Sequence, residues 1–193
     1  MAYKSPIAKY LEMVSIHENG RRDNRRELMV NRVPKDVVDD IVADTVSLIK
    51  TVPEEYKGDI ASRIKKVLRR QMYPDSLVDW LIDECDLTEA RAELIVSDQI
   101  RKCQERLRLH LLRKRRINFV VWRHAGAEKD PRDYHARKWD GKSGIHDGHP
   151  NGLDGYPFPI SSPPVIDEKT LERGYPSDLI GCKCRLAAIN MKV

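Results

Sequence analysis

Cys182 and Cys184 stand one residue apart near the C-terminal end, and His135, His146 and His149 precede them. Thiolate and imidazole are the usual donors to zinc, so a Cys2His2 or Cys2HisAsp site is the chemistry this set could do, and zinc is the one cofactor the residues suggest. In an extended strand, residues two apart project to the same side, which suits joint ligation by the two cysteines. The spacing is not the Cys-x-x-Cys type. The same residues also suit plain packing, with the cysteines as small apolar groups and His135 bonded to a backbone carbonyl. His146 and His149 read as solvent-exposed loop residues.

A second group is cationic: Arg106, Arg108, Arg113, Lys114, Arg115 and Arg116. Such a cluster suits phosphate contacts, because release of condensed counterions drives binding whatever the base sequence. Two other uses fit the same charges: a solvated helix end that complements the helix dipole, or docking onto an acidic protein surface. No helix-turn-helix or zinc-finger spacing accompanies the cluster, so any contact with double-stranded DNA is expected to be non-specific.

An enzyme reading starts from His146-Asp147-Gly148-His149. A metal-dependent nuclease, or another DNA-processing enzyme, needs a positioned base and a metal-bound nucleophile. No HNH-type spacing or paired acidic motif accompanies the histidines. Ser161-Ser162 precedes Pro163-Pro164 without the elbow of a serine nucleophile. No residue is assigned a catalytic role.

Elements must position these groups. The chain has 193 residues with 35 Lys and Arg against 30 Asp and Glu, a net of +5. Residues 1–100 carry 16 basic and 19 acidic side chains, residues 101–123 carry 9 and 1, and residues 124–193 carry 10 and 10. The excess therefore sits in about one helix's length of chain. Aromatics are 6% of the sequence, so the core must be largely aliphatic. No run approaches the roughly 18 apolar residues of a membrane span, so no membrane partner is expected. The start, Met1 to Pro6, has no apolar signal region, so export by that route is not expected and the cysteines should be reduced.

Eight of the ten glycines and seven of the eleven prolines fall in residues 124–193. The fold class that follows is α+β: a mainly α-helical N-terminal region with a long basic helix, then a small loop-rich module with a short antiparallel sheet. A first helix is predicted from Ser5-Pro6 to Asn19-Gly20. A second starts near Pro34 with Val37, Val38, Ile41, Val42, Thr45, Leu48 and Ile49 in helical period. A third covers Gly58 to Tyr73. Past a break at Pro74-Asp75-Ser76, a short helix carries Leu77, Trp80, Leu81 and Cys85. Thr88 then caps the longest helix, roughly 88–115, along which Ala92, Val96, Ile100, Cys103, Leu107 and Leu111 make one apolar stripe. Ile117 to Trp122 reads as a strand, 131–139 as one or two helical turns, 140–181 as turns, and Cys182 to Ile189 as a final strand.

One ordered series remains. Ala92 to Gln99 lies on the long helix and ends in Asp98-Gln99. Phe119 to Arg123 follows with Trp122. Pro131-Arg132-Asp133-Tyr134-His135 leads to Trp139-Asp140-Gly141-Lys142, and Gly181-Cys182-Lys183-Cys184-Arg185-Leu186 closes it. This series resembles the Mu-F-like phage head-morphogenesis family, the minor capsid proteins of tailed phages, over about residues 88–190. The family pattern is a helix ending in Asp-Gln or Thr-Glu, a Trp-bearing strand, Pro-Arg-x-x-His, an Asp-Gly turn and a late Cys-Arg-Cys. Here Lys183 replaces the middle arginine. Asp130-Pro131-Arg132 stands for a longer Asp-x-Arg-x-Arg, and Tyr175-Pro176-Ser177-Asp178 replaces a Pro-Gly.

The resemblance divides the chain into an α-helical N-terminal region, 1–87, and a head-morphogenesis module, 88–193, made of a helix at 88–116 and a strand- and loop-rich part at 117–193. It gives Asp98, Gln99, Trp122, Arg132, His135, Asp140 and Gly141 structural roles; independently, Arg132 and Asp140 flank His135 in the sequence and are expected to fix it by hydrogen bonds or an ion pair. It makes His135 the histidine to set beside Cys182 and Cys184 in a metal site. It implies a structural protein of the virion, in the capsid interior or at the portal vertex and in host cytoplasm during assembly. Such a protein binds the portal, with the major capsid or scaffolding protein as a further partner, and acts in head assembly and DNA packaging or delivery. A host-directed effector is another known use of this domain, but 193 residues leave no room for an added toxin-like domain.

Overall fold

The computed structural model describes residues 32–124 and 132–189. The helix expected over Ser5 to Gly20 lies outside them, as does Pro131 of the Pro-Arg-x-x-His segment. Among the described residues the chain forms five helices and a three-stranded antiparallel sheet, the α+β class expected. These residues fall into two compact units. Residues 32–111 with 176–183 form a helical unit, and 112–124, 132–175 and 184–189 form a sheet unit. No described helix is long and apolar enough to cross a membrane.

In the helical unit, α1 spans Lys35–Ser47, α2 Glu54–Leu68 and α3 Pro74–Cys85, and α4 runs from Glu89 to Lys114. Proline marks three of the four starts. Pro34 and Pro53 cap α1 and α2, and Pro74 is the first residue of α3, where a missing N–H costs nothing. The apolar periods converge on one aliphatic core of Val38, Val42, Val46, Ile60, Ile64, Leu77, Leu81, Ala92, Val96, Cys103 and Leu107. Each fully buried aliphatic side chain there contributes about 1.5–3 kcal/mol. Thr45, inside this core, turns its hydroxyl to the Ile41 and Val42 carbonyls and lies 3.1 Å from Cys103 Sγ.

Helix α2 begins four residues before the expected Gly58 and ends five before the expected Tyr73. Glu54 and Glu55 in its first turn, and Lys65 and Lys66 in its last, place charge where the helix dipole favours it. It stops because Arg70 adopts φ 57°, with Arg70 N–H donating to Val67 O and Gln71 N–H to Lys66 O. That pair of bonds is a Schellman stop, and here it forms without glycine. Helix α4 ends the same way: Arg116 has φ 57°, and its N–H and that of Ile117 donate to Arg113 O and Leu112 O.

In the sheet unit, β1 spans Phe119–Arg123, β2 Pro157–Pro159 and β3 Arg185–Ala188, in the order β2-β1-β3. A one-turn helix, α5, covers Asp133–Ala136. Strand β2 lies inside the stretch read as turns. Its sequence, Pro-Phe-Pro, hides it, because prolines cannot donate to a ladder, but at the edge of a sheet they need not. The final strand is shorter than expected, starting at Arg185 rather than Cys182. In the ladder Phe119 faces Pro159, Val121 faces Pro157, and Arg123 faces Arg185. Trp122, Phe158, Leu153, Ile166, Leu186 and His135 are its largest fully buried side chains.

Candidate metal centre

His135 is the third residue of α5 and is fully buried. Its Nε2 lies 2.8 Å from Ile166 O. A carbonyl only accepts, so Nε2 carries the proton in the neutral ring and Nδ1 presents a lone pair. Nδ1 lies 3.8 Å from Cys184 Sγ. Trp122 stands edge-on to the imidazole, with ring centroids 5.1 Å apart at 71°.

Cys184 immediately precedes β3, and its position follows from the ladder. Trp122 faces Leu186 and Arg123 faces Arg185. One step further along this antiparallel register sets His124 opposite Cys184. His124 Nδ1 lies 3.7 Å from Cys184 Sγ, and Asp154 Oδ1 fixes the His124 backbone by accepting its N–H at 3.0 Å. His124 is not among the candidate donors named from the sequence. The available signal was period two, which puts it on the same face of β1 as Trp122.

The donor atoms of His135, Cys182 and Cys184 all lie within 4.8 Å of one another, and all three residues are buried. The expected metal set is thus brought together, and this cluster could hold a metal ion. Its chemistry fits: a ligating imidazole ordinarily donates its other N–H to a carbonyl or carboxylate, as His135 does to Ile166. Cys182 is steadied by its neighbours. Its N–H donates to Leu179 O, its carbonyl accepts from Ser177 Oγ, and the N–H of the preceding Gly181, at φ 74°, donates to Asp98 Oδ1 at 2.9 Å. Asp98 Oδ2 accepts from Lys102 Nζ at 2.7 Å, so the buried carboxylate is paired as well as hydrogen-bonded. The adjacent Gln99 is also buried.

Asp140 and Gly141 make a turn. Asp140 Oδ1 accepts from the N–H groups of Lys142 and Ser143 and from Ser143 Oγ, and these bonds hold its carboxyl below the usual range. Gly141 has φ 85°. Asp140 Oδ1 is therefore committed to its own turn rather than to fixing His135. Arg132 contributes through its backbone, accepting from His135 N–H at 3.0 Å. His146 and His149 are exposed, and Asp147 Oδ1 between them accepts from His149 N–H in a tight turn. Among the described residues the His135, Cys182 and Cys184 set is the one cluster of metal-donor side chains.

The cationic candidates separate into two groups. Arg106 lies 3.9 Å from Asp178, Arg108 lies 3.8 Å from Glu105, and Arg113 donates to Tyr175 Oη at 3.0 Å while lying over its ring. Arg113 is nonetheless exposed, as are Lys114, Arg115 and Arg116 at the end of α4. Comparison with known proteins found no matching family model, curated protein or solved structure.

Proposed function

We propose that this chain is a minor head protein of a tailed phage, of the Mu-F-like kind, bound to the portal and acting in head assembly and DNA packaging or delivery. The observation that carries the reading is the use made of the residues behind the resemblance. Trp122, His135 and Cys184 come from separate stretches of sequence and pack against one another in the interior of the sheet unit. Asp98 binds the turn ahead of Cys182, and Asp140-Gly141 closes a turn of its own. Side chains spent in this way hold a fold, as an assembly protein requires. Zinc is the metal that suits the His135, Cys182 and Cys184 donors, and its role is to staple a module with little sheet. Exposed Arg113, Lys114, Arg115 and Arg116 make non-specific contact with double-stranded DNA inside the head, while Arg106 and Arg108 support them from ion pairs. The protein works in host cytoplasm during assembly and then in the virion, in the capsid interior or at the portal vertex, with the major capsid or scaffolding protein as a further neighbour.

Co-purification tests the assembly role. Tagged chain expressed with the phage head genes is expected in assembled heads together with portal, and its absence from portal-bearing heads overturns the proposal. Duplex DNA binding is expected to weaken steeply with salt and to fall when residues 114–116 are reversed to glutamate. Affinity indifferent to that reversal removes the DNA contact. Turnover of DNA with Mg²⁺ or Mn²⁺, abolished by His146→Ala, favours a nuclease instead.

A further inference from the structure

We propose that Arg113 is a preset phosphate clamp and the anchoring contact of the cationic surface at the end of α4, with Tyr175 as the residue that positions it. The inference rests on the DNA reading above. Arg113 differs from the other cations of that surface in what holds it. Arg106 and Arg108 face carboxylates, at 3.9 Å from Asp178 and 3.8 Å from Glu105, which offset their charge toward a phosphate. Lys114, Arg115 and Arg116 are exposed, and their side chains have no partner among the described residues. Each must therefore lose its rotamer freedom on binding. Arg113 is both held and undischarged. Its partner is a neutral phenol, to which it donates at 3.0 Å, with Cζ 5.8 Å from the ring centroid.

The phenol is itself fixed. Ile160 O only accepts, so Tyr175 turns its one O–H to that carbonyl, at 2.6 Å, and receives the Arg113 N–H on a lone pair. Its ring lies 6.4 Å from that of Phe158, which is fully buried on β2. The other end of Arg113 is fixed by the backbone, because its carbonyl accepts from Arg116 N–H at the left-handed stop that ends the helix. A guanidinium carries its N–H donors in one planar fork, and Tyr175 engages it through Nη2. No carboxylate or other acceptor takes the remaining donors among the described residues. A phosphodiester suits the edge that is left, because a planar fork binds two phosphate oxygens by parallel bonds. Arg113, Phe158, Ile160 and Tyr175 all belong to the sheet unit, so the clamp is complete within it.

The probe is a short duplex DNA of mixed sequence, titrated with the full chain over a range of salt concentrations. Arg113→Ala should lower affinity and reduce the salt slope by about one contact. Tyr175→Phe keeps every charge and the ring. It should lower affinity about three- to tenfold at each salt concentration, the cost of ordering a long side chain on binding, and leave the slope unchanged. Arg113→Lys, a surface change that leaves Tyr175 and Ile160 in place, should do the same, since an ammonium lacks the fork. Placed on Arg113→Ala, Tyr175→Phe should cost nothing more, which separates positioning from damage to the fold. Wild-type affinity in Tyr175→Phe or Arg113→Lys, or an equal loss from Tyr175→Phe in the Arg113→Ala background, overturns the clamp while leaving the DNA surface standing. Reversal of residues 114–116 that leaves affinity unchanged overturns the DNA reading, and the clamp with it.

Discussion

The helical unit and the sheet unit are held together by different physics. In the first, four helices turn continuous aliphatic stripes toward one core, and many similar side chains share the load. In the second, the regular structure amounts to a three-stranded sheet and one helical turn, and individual residues carry distinct tasks: Trp122 against His135, His135 on Ile166 O, Asp154 on the His124 amide. A core of interchangeable aliphatics tolerates exchange if volume is kept. A set of specific polar contacts does not, because each loss leaves a buried partner unsatisfied.

Removal of the zinc proposed above is the harshest way to break this contrast. Chelation should destabilise the sheet unit by several kcal/mol, since the binding energy of a structural zinc is folding energy. Hydrogen exchange should quicken at Val120, Val121 and Leu186 while the α1–α3 core keeps its protection. Thiol labelling gives a second reading. Cys182 and Cys184 should become reactive only after chelation. Cys103, whose thiol burial pushes up to about 11, should stay inert in both states. Equal loss of protection in both units would end the distinction.

Point substitutions sharpen it at a smaller scale. Trp122→Ala should cost about 3–5 kcal/mol by opening the middle of the sheet core. The telling pair is milder. Leu81→Met in the helical core should cost less than about 1.5 kcal/mol. His135→Leu, similar in size, strands the Ile166 carbonyl and should cost about 1–3 kcal/mol even without metal. Denaturant unfolding of the metal-free proteins checks this, and equal costs would mean that His135 merely fills space.

The same difference governs what was legible in the sequence. Helices α1, α3 and α4 could be read closely because the apolar period of about 3.6 residues reports a one-sided core directly. The ends of α2 were misplaced because Gly58 is tolerated inside a helix, and because Arg70 supplies the left-handed stop that glycine usually signals. Strand β2 was invisible, since Pro157 and Pro159 suit only an edge and being an edge is a tertiary fact. The His135, Cys182 and Cys184 set could be proposed from residue type, because thiolate and imidazole are the usual zinc donors. Asp140 was assigned to His135 from proximity in sequence, whereas its nearest donors are the two backbone amides that follow it.

Arg116 offers a gentler test, at the point where α4 gives way to the sheet unit. Its φ of 57° is one that glycine adopts freely and arginine does not. Arg116→Gly should therefore raise stability slightly, by no more than about 1 kcal/mol. If its charge serves DNA, the same change should lower duplex affinity and reduce the salt slope by about one contact. Higher stability with unchanged affinity would leave this arginine without a DNA role, and the contact would rest on Arg113, Lys114 and Arg115.

The smallest effect concerns acid. Asp140 and Asp167 accept backbone N–H bonds in the loops of the sheet unit, and these bonds hold both carboxyls below their ordinary value of 3.8. Asp39 of the helical unit is also lowered, but by Lys65, 2.9 Å away. A carboxyl lowered in the folded state contributes stability that is complete above its unfolded value, near pH 4, and is lost as pH falls through the lower folded value. Both units should therefore weaken below about pH 4. Salt should separate them. The half-buried Asp39–Lys65 attraction is partly screened, whereas backbone hydrogen bonds at contact distance are largely not. In 1 M salt the acid sensitivity of Asp39 should fade, so that Asp39→Asn alters the low-pH slope less than at low salt. Asp140→Asn should still flatten it. Unfolding followed by hydrogen exchange between pH 2 and pH 5 would read each unit separately, and a slope that vanishes with salt in both would mean that the loops are held by charge and not by their turns.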